Sequence, residues 1–114
     1  MNYSEILRDP LWIKRRAEIL ERDKHQCQMC GEKEKKLHVH HRAYLGRLPW
    51  DYPDEYLVTL CEDCHDEEGE LRPNVEEKLL RILRLKFFFR DLNALAIKFQ
   101  SDEPKIFKPA EDDL

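Results

Sequence analysis

The chain has 114 residues, of which 41% are hydrophobic and 39% are charged, and its formal net charge is −4. This composition indicates one globular domain with a modest core, and it excludes a low-complexity chain. It also excludes a membrane-spanning chain, because no segment approaches the roughly 20 apolar residues that a transmembrane helix needs. Residues 1–10 include three charged side chains and no apolar run, so no signal peptide is predicted. We therefore expect a cytoplasmic protein, in which paired cysteines bind metal more often than they form disulfides.

The charges are distributed unevenly along the sequence. Residues 51–71 contain nine acidic residues and no Lys or Arg, whereas residues 1–50 and 72–100 each have an excess of four basic residues. A groove lined by the two basic segments would be positive although the molecule is acidic. Charge scattered over a solvated surface is the alternative interpretation.

Asp9 and Pro10 mark the start of the first predicted helix. An Asp side chain caps helix N-termini, and Pro at the first helical position loses no hydrogen bond. Apolar residues then recur at helical spacing on one broad face, and most charged residues lie away from it. Residues 10–23 are therefore predicted to form an amphipathic N-terminal helix.

The middle of the chain predicts a strand–loop–strand–helix unit. The first strand alternates in polarity, with Leu37 and Val39 toward the core. In chain order, the ranges are residues 37–41 for the first strand, 42–55 for the loop, 56–60 for the second strand and 62–68 for the short helix. The predicted fold class is therefore α+β, with a ββα core over residues 25–70.

A long helix is predicted after this core, over residues 75–100, with Asn74 as its N-cap. Its apolar stripe swings by about half a turn near Phe88 at 100° per residue. Either the helix breaks there, or it buries two faces against two partners. The remaining acidic residues, 102–114, are predicted to be disordered, so that one domain spans residues 1–101.

The strongest signal is a pair of cysteine motifs, Cys27-x-x-Cys30-Gly31 and Cys61-x-x-Cys64. Two residues between thiolates allow both sulfurs to bind one tetrahedral Zn²⁺ at about 2.3 Å, and four sulfurs close the coordination sphere. Disulfides or a redox-active pair would need an oxidising compartment or a thioredoxin-like context, and the sequence contains no sign of either. We therefore predict a structural zinc ion that performs no chemistry.

Three histidines accompany these motifs: His40 and His41 end the first predicted strand, and His65 directly follows the last cysteine. A Cys pair, a strand ending in His-His, a loop and then L-C-x-x-C-H opening a helix resemble the pattern of the HNH endonuclease superfamily, which has a ββα-metal fold. The sequence is most similar to the small zinc-ribbon HNH nicking endonucleases of bacteria and phages. The resemblance covers about residues 12–70, including W-I-K-R-R and R-D-K-H-Q-C-Q-M-C-G.

The resemblance implies a role for each of these histidines in DNA hydrolysis. His41 would be the general base that activates water, and His40 and His65 would bind a catalytic divalent ion, Mg²⁺ or Mn²⁺. Imidazole titrates near neutral pH, which suits a base. The sequence departs from the family at Tyr56, where the family has the Asn that fixes the loop carrying the base. His38 and His25 are interpreted as structural or exposed.

The remaining expectations concern DNA and self-association. Candidate phosphate contacts are Arg42, Arg47, Lys14 and Arg15. Trp50 and Tyr52 are interpreted as residues that pack the loop. One active site predicts nicking of one strand, and the C-terminal helix either folds onto the N-terminal helix or forms a homodimer. The alternatives are a non-catalytic zinc-ribbon module that binds nucleic acid or protein, and an inactive relative that keeps the fold.

Overall fold

A computed structural model of the protein describes residues 2–100. Over this range the chain is α+β, with α-helices and one two-stranded antiparallel sheet, as predicted. It divides into two compact units between Asp66 and Glu67. The predicted disorder of residues 102–114 lies outside the described residues. No helix in the described range has the length and apolar character needed to cross a membrane.

Two helices open the first unit, α1 (Tyr3–Arg8) and α2 (Pro10–Arg22). Helix α1 is not predicted from the sequence, because its six residues show too little periodicity. Helix α2 is predicted, and Asp9 caps it as expected by accepting a 2.9 Å hydrogen bond from the Leu11 amide. It ends where the next residues, Lys24 and His25, adopt positive φ angles of 58° and 52°, which directs the chain into the first cysteine motif.

The sheet pairs β1 (Leu37–His41) with β2 (Leu57–Cys61), and His41 lies opposite Leu57. Strand β1 has the predicted bounds, whereas β2 begins one residue later than predicted and includes Cys61. Helix α3 (Glu62–Glu70) follows β2 without a connecting loop. The last cysteine motif therefore spans the junction between a strand and a helix.

Helix α2 covers one face of the sheet. Its buried side chains join buried residues from β1, β2 and the connecting loop in one core: Trp12, Ile19, Leu20, Val39, Tyr52 and Leu57. Leu37 packs against this core, as the alternation of β1 predicts.

Asp23, directly after α2, fixes the helix to the sheet. Its carboxylate accepts a 2.9 Å hydrogen bond from the Thr59 amide and pairs with Arg22 at 2.8 Å. Arg22 also donates to the carbonyl oxygen of Leu57 at 2.6 Å. Burial raises the pKa of Asp23, but the hydrogen bonds from Arg22 and Thr59 outweigh burial and hold this pKa below its ordinary value.

The second unit contains two helices, α4 (Arg72–Lys86) and α5 (Phe89–Lys98). The prediction of Asn74 as N-cap is wrong: α4 begins at Arg72, since the following Pro73 occupies the first turn, where its missing N–H costs no hydrogen bond. The predicted helix of residues 75–100 breaks at Phe87 and Phe88, which are extended. This is where the apolar stripe swings. No residue of α4 or α5 is buried.

Candidate functional site

Four cysteines converge in the first unit. Cys27 and Cys30 come from the turn after α2, Cys61 ends β2, and Cys64 lies in the first turn of α3. Their sulfurs all lie within 4.8 Å of one another, and none forms a disulfide. The Cys30 and Cys61 sulfurs are 3.7 Å apart. Ligands about 2.3 Å from a tetrahedral zinc are separated by about 3.8 Å, whereas a disulfide is about 2.05 Å long. The four cysteines therefore fit a single zinc ion.

Main-chain hydrogen bonds shape the first cysteine motif. Gly31 adopts a φ of 87°, and its amide donates to the carbonyl oxygen of Cys27 at 2.9 Å. The amide of Cys30 points at the Cys27 sulfur from 3.5 Å. Gln28 donates its amide to the carbonyl oxygen of Thr59 at 2.9 Å, which links this turn to β2. The turn therefore aims N–H groups at sulfur and attaches both sulfurs to the sheet.

These surroundings shift the pKa values of two of the thiols in opposite directions. Burial raises the pKa of Cys27, but backbone hydrogen bonds outweigh burial and lower it to about 6. Burial and the neighbouring sulfurs raise the pKa of Cys64. Four adjacent thiolates repel one another unless a cation lies between them. The donor set is therefore suited to a divalent ion that deprotonates all four cysteines on binding.

Three imidazoles form a second cluster, called here the histidine cluster: His38, His40 and His65. The first two share a face of β1, because they are two residues apart on a strand. The His38 and His65 rings stack with centroids 4.6 Å apart, and the His40 ring meets His65 edge-on at 5.4 Å. The structure thus brings together the two predicted ligands, His40 and His65. It adds His38, whose interpretation as structural or exposed did not include this contact.

His41 faces the opposite side of β1. Its ring stacks on Trp12 with centroids 5.2 Å apart and meets the Tyr52 ring at 4.6 Å. Its Nε2 lies 3.2 Å from the carbonyl oxygen of Pro49. Burial lowers the pKa of His41, and the hydrogen bond to Pro49 only partly offsets this effect. A carbonyl oxygen only accepts hydrogen bonds, so Nε2 carries the hydrogen and Nδ1 keeps a basic lone pair.

All four of these histidines line one cavity of about 600 Å³, which is formed within the first unit. Six consecutive residues, 36–41, contribute to its wall, so the cavity follows the edge of β1 that does not pair with β2. The charged side chains in the wall are Arg16, Lys36 and Arg47, and no Asp or Glu belongs to the described lining. The cavity is therefore basic in a protein whose net charge is −4.

The predicted DNA contacts differ in their positions. Arg47 lines the cavity, whereas Arg42 and Lys14 are exposed and lie outside the described lining. Arg15 donates hydrogen bonds to the carbonyl oxygen of Tyr52 at 2.7 Å and to Asp54 at 2.6 Å. Arg15 therefore anchors the loop between the strands.

Two tyrosines of the loop have different roles. Tyr56, where the HNH pattern would have Asn, packs partly buried against the core, and its carbonyl oxygen accepts a 2.7 Å hydrogen bond from the Arg42 amide. Tyr52 is buried, and its hydroxyl accepts a 3.0 Å hydrogen bond from the Leu45 amide while its ring contacts His41. The sequence indicated Tyr52 as a packing residue of the loop. No motif signalled its contact with His41.

Comparison of the chain with protein-family models, with curated proteins and with solved structures gives no match. Its function is therefore inferred from the residues and distances described above.

Proposed function

We propose that this protein is a metal-dependent HNH-type endonuclease that hydrolyses phosphodiester bonds in DNA and nicks one strand at a time. One observation carries the proposal: His41 and the histidine cluster line the same cavity, and every charged side chain in its described wall is basic. A general base, a pair of metal-binding imidazoles and positive charge are the groups that phosphodiester hydrolysis requires.

The cysteine site would have a structural role. Four sulfurs at tetrahedral spacing complete the coordination of zinc and leave no position for water or substrate. Zinc there would join the turn after α2 to the junction between β2 and α3. His65 directly follows Cys64, so the same ion would also hold the first turn of α3 and its imidazole in place.

His41 has the properties of the general base. Its lowered pKa keeps the ring neutral at physiological pH, and Nδ1 holds the lone pair that takes a proton from water. Trp12 and Tyr52 fix the ring from two sides. The hydrogen bond to Pro49 fixes its rotation and its tautomer, and it stabilises the imidazolium once the proton has arrived.

His40 and His65 fit a second, catalytic ion, either Mg²⁺ or Mn²⁺. Two imidazoles bound to one ion through bonds of about 2 Å have ring centres roughly 5 Å apart, close to the observed 5.4 Å. Among the described residues, no other His, Cys, Asp or Glu forms with them a group of three ligands as compact as the cysteine cluster. The remaining positions around the ion would therefore be open to phosphate and water. Such an ion would stabilise the charge that develops on the phosphate and on the leaving oxygen. His38, stacked on His65, holds that ring edge-on to His40.

The loop between the strands would be fixed without the family Asn. The Tyr52 hydroxyl and the Arg15 guanidinium bind main-chain groups at both ends of this loop. Together they hold Pro49, and hence the carbonyl oxygen that orients His41. We therefore assign to Tyr52 and Arg15 the positioning role that the family gives to Asn.

The test is nicking of a supercoiled plasmid by zinc-loaded protein. We expect conversion to the open circular form with added Mg²⁺ or Mn²⁺ and none without these ions. His41→Ala should reduce the rate by about 10²–10⁴-fold. The control His25→Asn changes an exposed histidine outside the described lining and keeps a residue that tolerates the positive φ there, so it should cut at the native rate.

Two results would overturn the proposal. The first is zinc-loaded protein that binds DNA but never cuts it with either ion, which would indicate a non-catalytic zinc-ribbon module. The second is His41→Ala protein that cuts at the native rate, which would place the base elsewhere, with His38 the next candidate.

A further inference from the structure

The cavity wall contains exposed aromatic rings that phosphodiester hydrolysis does not need. Tyr44 is 95% exposed and Tyr3 is 72% exposed, and both belong to the same lining as the four histidines. Helix α1, which carries Tyr3, also contributes Ile6 and Leu7 to this wall. Rings so open to water at the edge of a cavity are available to stack on a flat ligand.

The charged residues of the wall indicate that this ligand is an anion. Arg16, Lys36 and Arg47 are its charged residues, and no carboxylate in the described lining opposes them. Arg16 already donates a hydrogen bond to the carbonyl oxygen of Leu37 at 3.2 Å, so its positive charge is held at the wall. Basic side chains interleaved with aromatic rings are typical of grooves that bind single-stranded nucleic acid, where phosphates meet cations and bases meet rings.

The size of the cavity excludes one form of DNA. Its volume of about 600 Å³ falls within the range of about 300–1,000 Å³ for sites that enclose a small molecule. A nucleotide of an unpaired strand is a group of this size, whereas a duplex is far too wide to enter. His41 lies between Trp12 and Tyr52 in the wall of this space, where it faces a phosphate that enters the cavity.

We propose that the cavity binds an unpaired DNA strand, with bases stacked on Tyr44 and Tyr3 and phosphates against Arg47 and Lys36. Unpaired DNA, either single-stranded or locally melted, is then the substrate class of the enzyme. The statement about cleavage rests on the proposed function, whereas the statement about binding stands without it.

Binding is tested with the zinc-loaded full chain, without added Mg²⁺ or Mn²⁺. The probes are a fluorescein-labelled single-stranded DNA of mixed sequence and the same strand in a blunt duplex. Anisotropy should show about tenfold tighter binding of the single strand. Tyr44→Ala should weaken this binding by about tenfold, and Tyr44→Phe should retain it, because stacking needs only the ring.

Ile13→Ala is the matched control, since Ile13 is also exposed in the first unit but lies outside the described lining. It should bind the single strand as the wild type does. Equal affinity for the two probes, or an unchanged affinity of Tyr44→Ala, would overturn the assignment. The Tyr44→Ala variant should fold normally, because Tyr44 is almost fully exposed and its side chain is not part of the core.

Cleavage separates the two proposals. With added Mn²⁺, the single-stranded probe should be cut faster than the duplex, and a supercoiled plasmid faster than a relaxed one, because negative supercoiling melts DNA locally. Cutting of the duplex at the same rate as the single strand would refute the proposed substrate class but not the proposed nuclease activity. Selective binding of the single strand with no cutting would refute the nuclease and leave the binding site.

Discussion

The two units of the chain differ in the burial of their apolar side chains. The first unit buries side chains from a helix, two strands and a loop in one core, and it contains a cluster of four cysteines. The second unit buries no residue of α4 or α5: Leu79, for example, is 54% exposed and Phe89 is 76% exposed. A helix needs an opposing layer to bury its apolar stripe, and two short helices do not provide one for each other.

This difference shows what each unit needs for stability. The core of the first unit is small for its length, so a metal at the cysteines would supply folding energy that the core lacks. The second unit has apolar surface but no site for a metal among its described residues. The sequence predicts two ways to cover this surface, pairing of two copies of the chain or packing against the N-terminal helix, and both stay predictions.

The largest expected effect comes from removing a cysteine ligand. Cys61→Ser should unfold the first unit, because structural zinc contributes about 10–16 kcal/mol to folding in small zinc domains. Circular dichroism should show loss of the native signal, and metal analysis should show loss of one zinc per chain. Met29→Ala, at an exposed position between Cys27 and Cys30, is the control and should keep both. A folded, soluble Cys61→Ser protein would contradict the role of zinc.

The next effect concerns the attachment of α2 to the sheet. Asp23→Ala leaves the Thr59 amide buried without its acceptor and should lower the free energy of unfolding by about 3 kcal/mol. Urea titration at neutral pH measures this free energy. The control is Glu21→Gln, which changes an exposed carboxylate of α2.

The pH dependence of this effect has a defined sign. The pKa of Asp23 is lower in the folded protein than its ordinary value of 3.8. Its contribution to stability is therefore complete above the ordinary value and is lost as the pH falls through the folded value. The difference between wild type and Asp23→Ala should stay constant from about pH 8 to pH 5. A difference that shrinks within this range would contradict the role of the ionised carboxylate.

A smaller effect is expected from a substitution in the second unit that leaves the first unit unchanged. Leu79→Glu places a charge on the exposed apolar face of α4 and should weaken dimerisation by about ten- to a hundredfold, because burial of a Leu side chain contributes about 1.5–3 kcal/mol. Light scattering over a dilution series measures this change, while zinc content and the unfolding of the first unit should not change. Lys78→Gln changes the net charge equally and is the control. A wild type that stays monomeric at high concentration would refute the homodimer.

The smallest predicted effect tests the loop. Tyr52→Phe removes only the hydroxyl that accepts the Leu45 amide, so it should cost about 1 kcal/mol of stability. Because this loop carries Pro49, nicking should also slow, by about tenfold at most, with Mn²⁺ dependence unchanged. A larger loss for Tyr56→Phe would assign the positioning role to Tyr56, the residue at which the sequence departs from the HNH pattern.

The sequence by itself determined the local features of the protein. The apolar periodicity of residues 10–23 and the alternation of residues 37–41 predicted α2 and β1 with bounds correct to one residue. The spacing of the cysteines predicted a cluster able to hold one metal ion. These features depend on neighbours within a few residues, since hydrogen bonding in helices and alternation in strands are local rules.

Only the tertiary structure decided which distant side chains meet. The His38 ring stacks on His65 because the antiparallel register places Leu60, opposite His38, near the start of α3. Tyr52 reaches His41 because the loop folds back over α2, where Arg15 binds its main chain. Such contacts join residues far apart in the sequence and depend on packing, which no pattern of neighbouring residues encodes. The short helix α1 also lay beyond prediction, because six residues carry too little periodicity to be recognised.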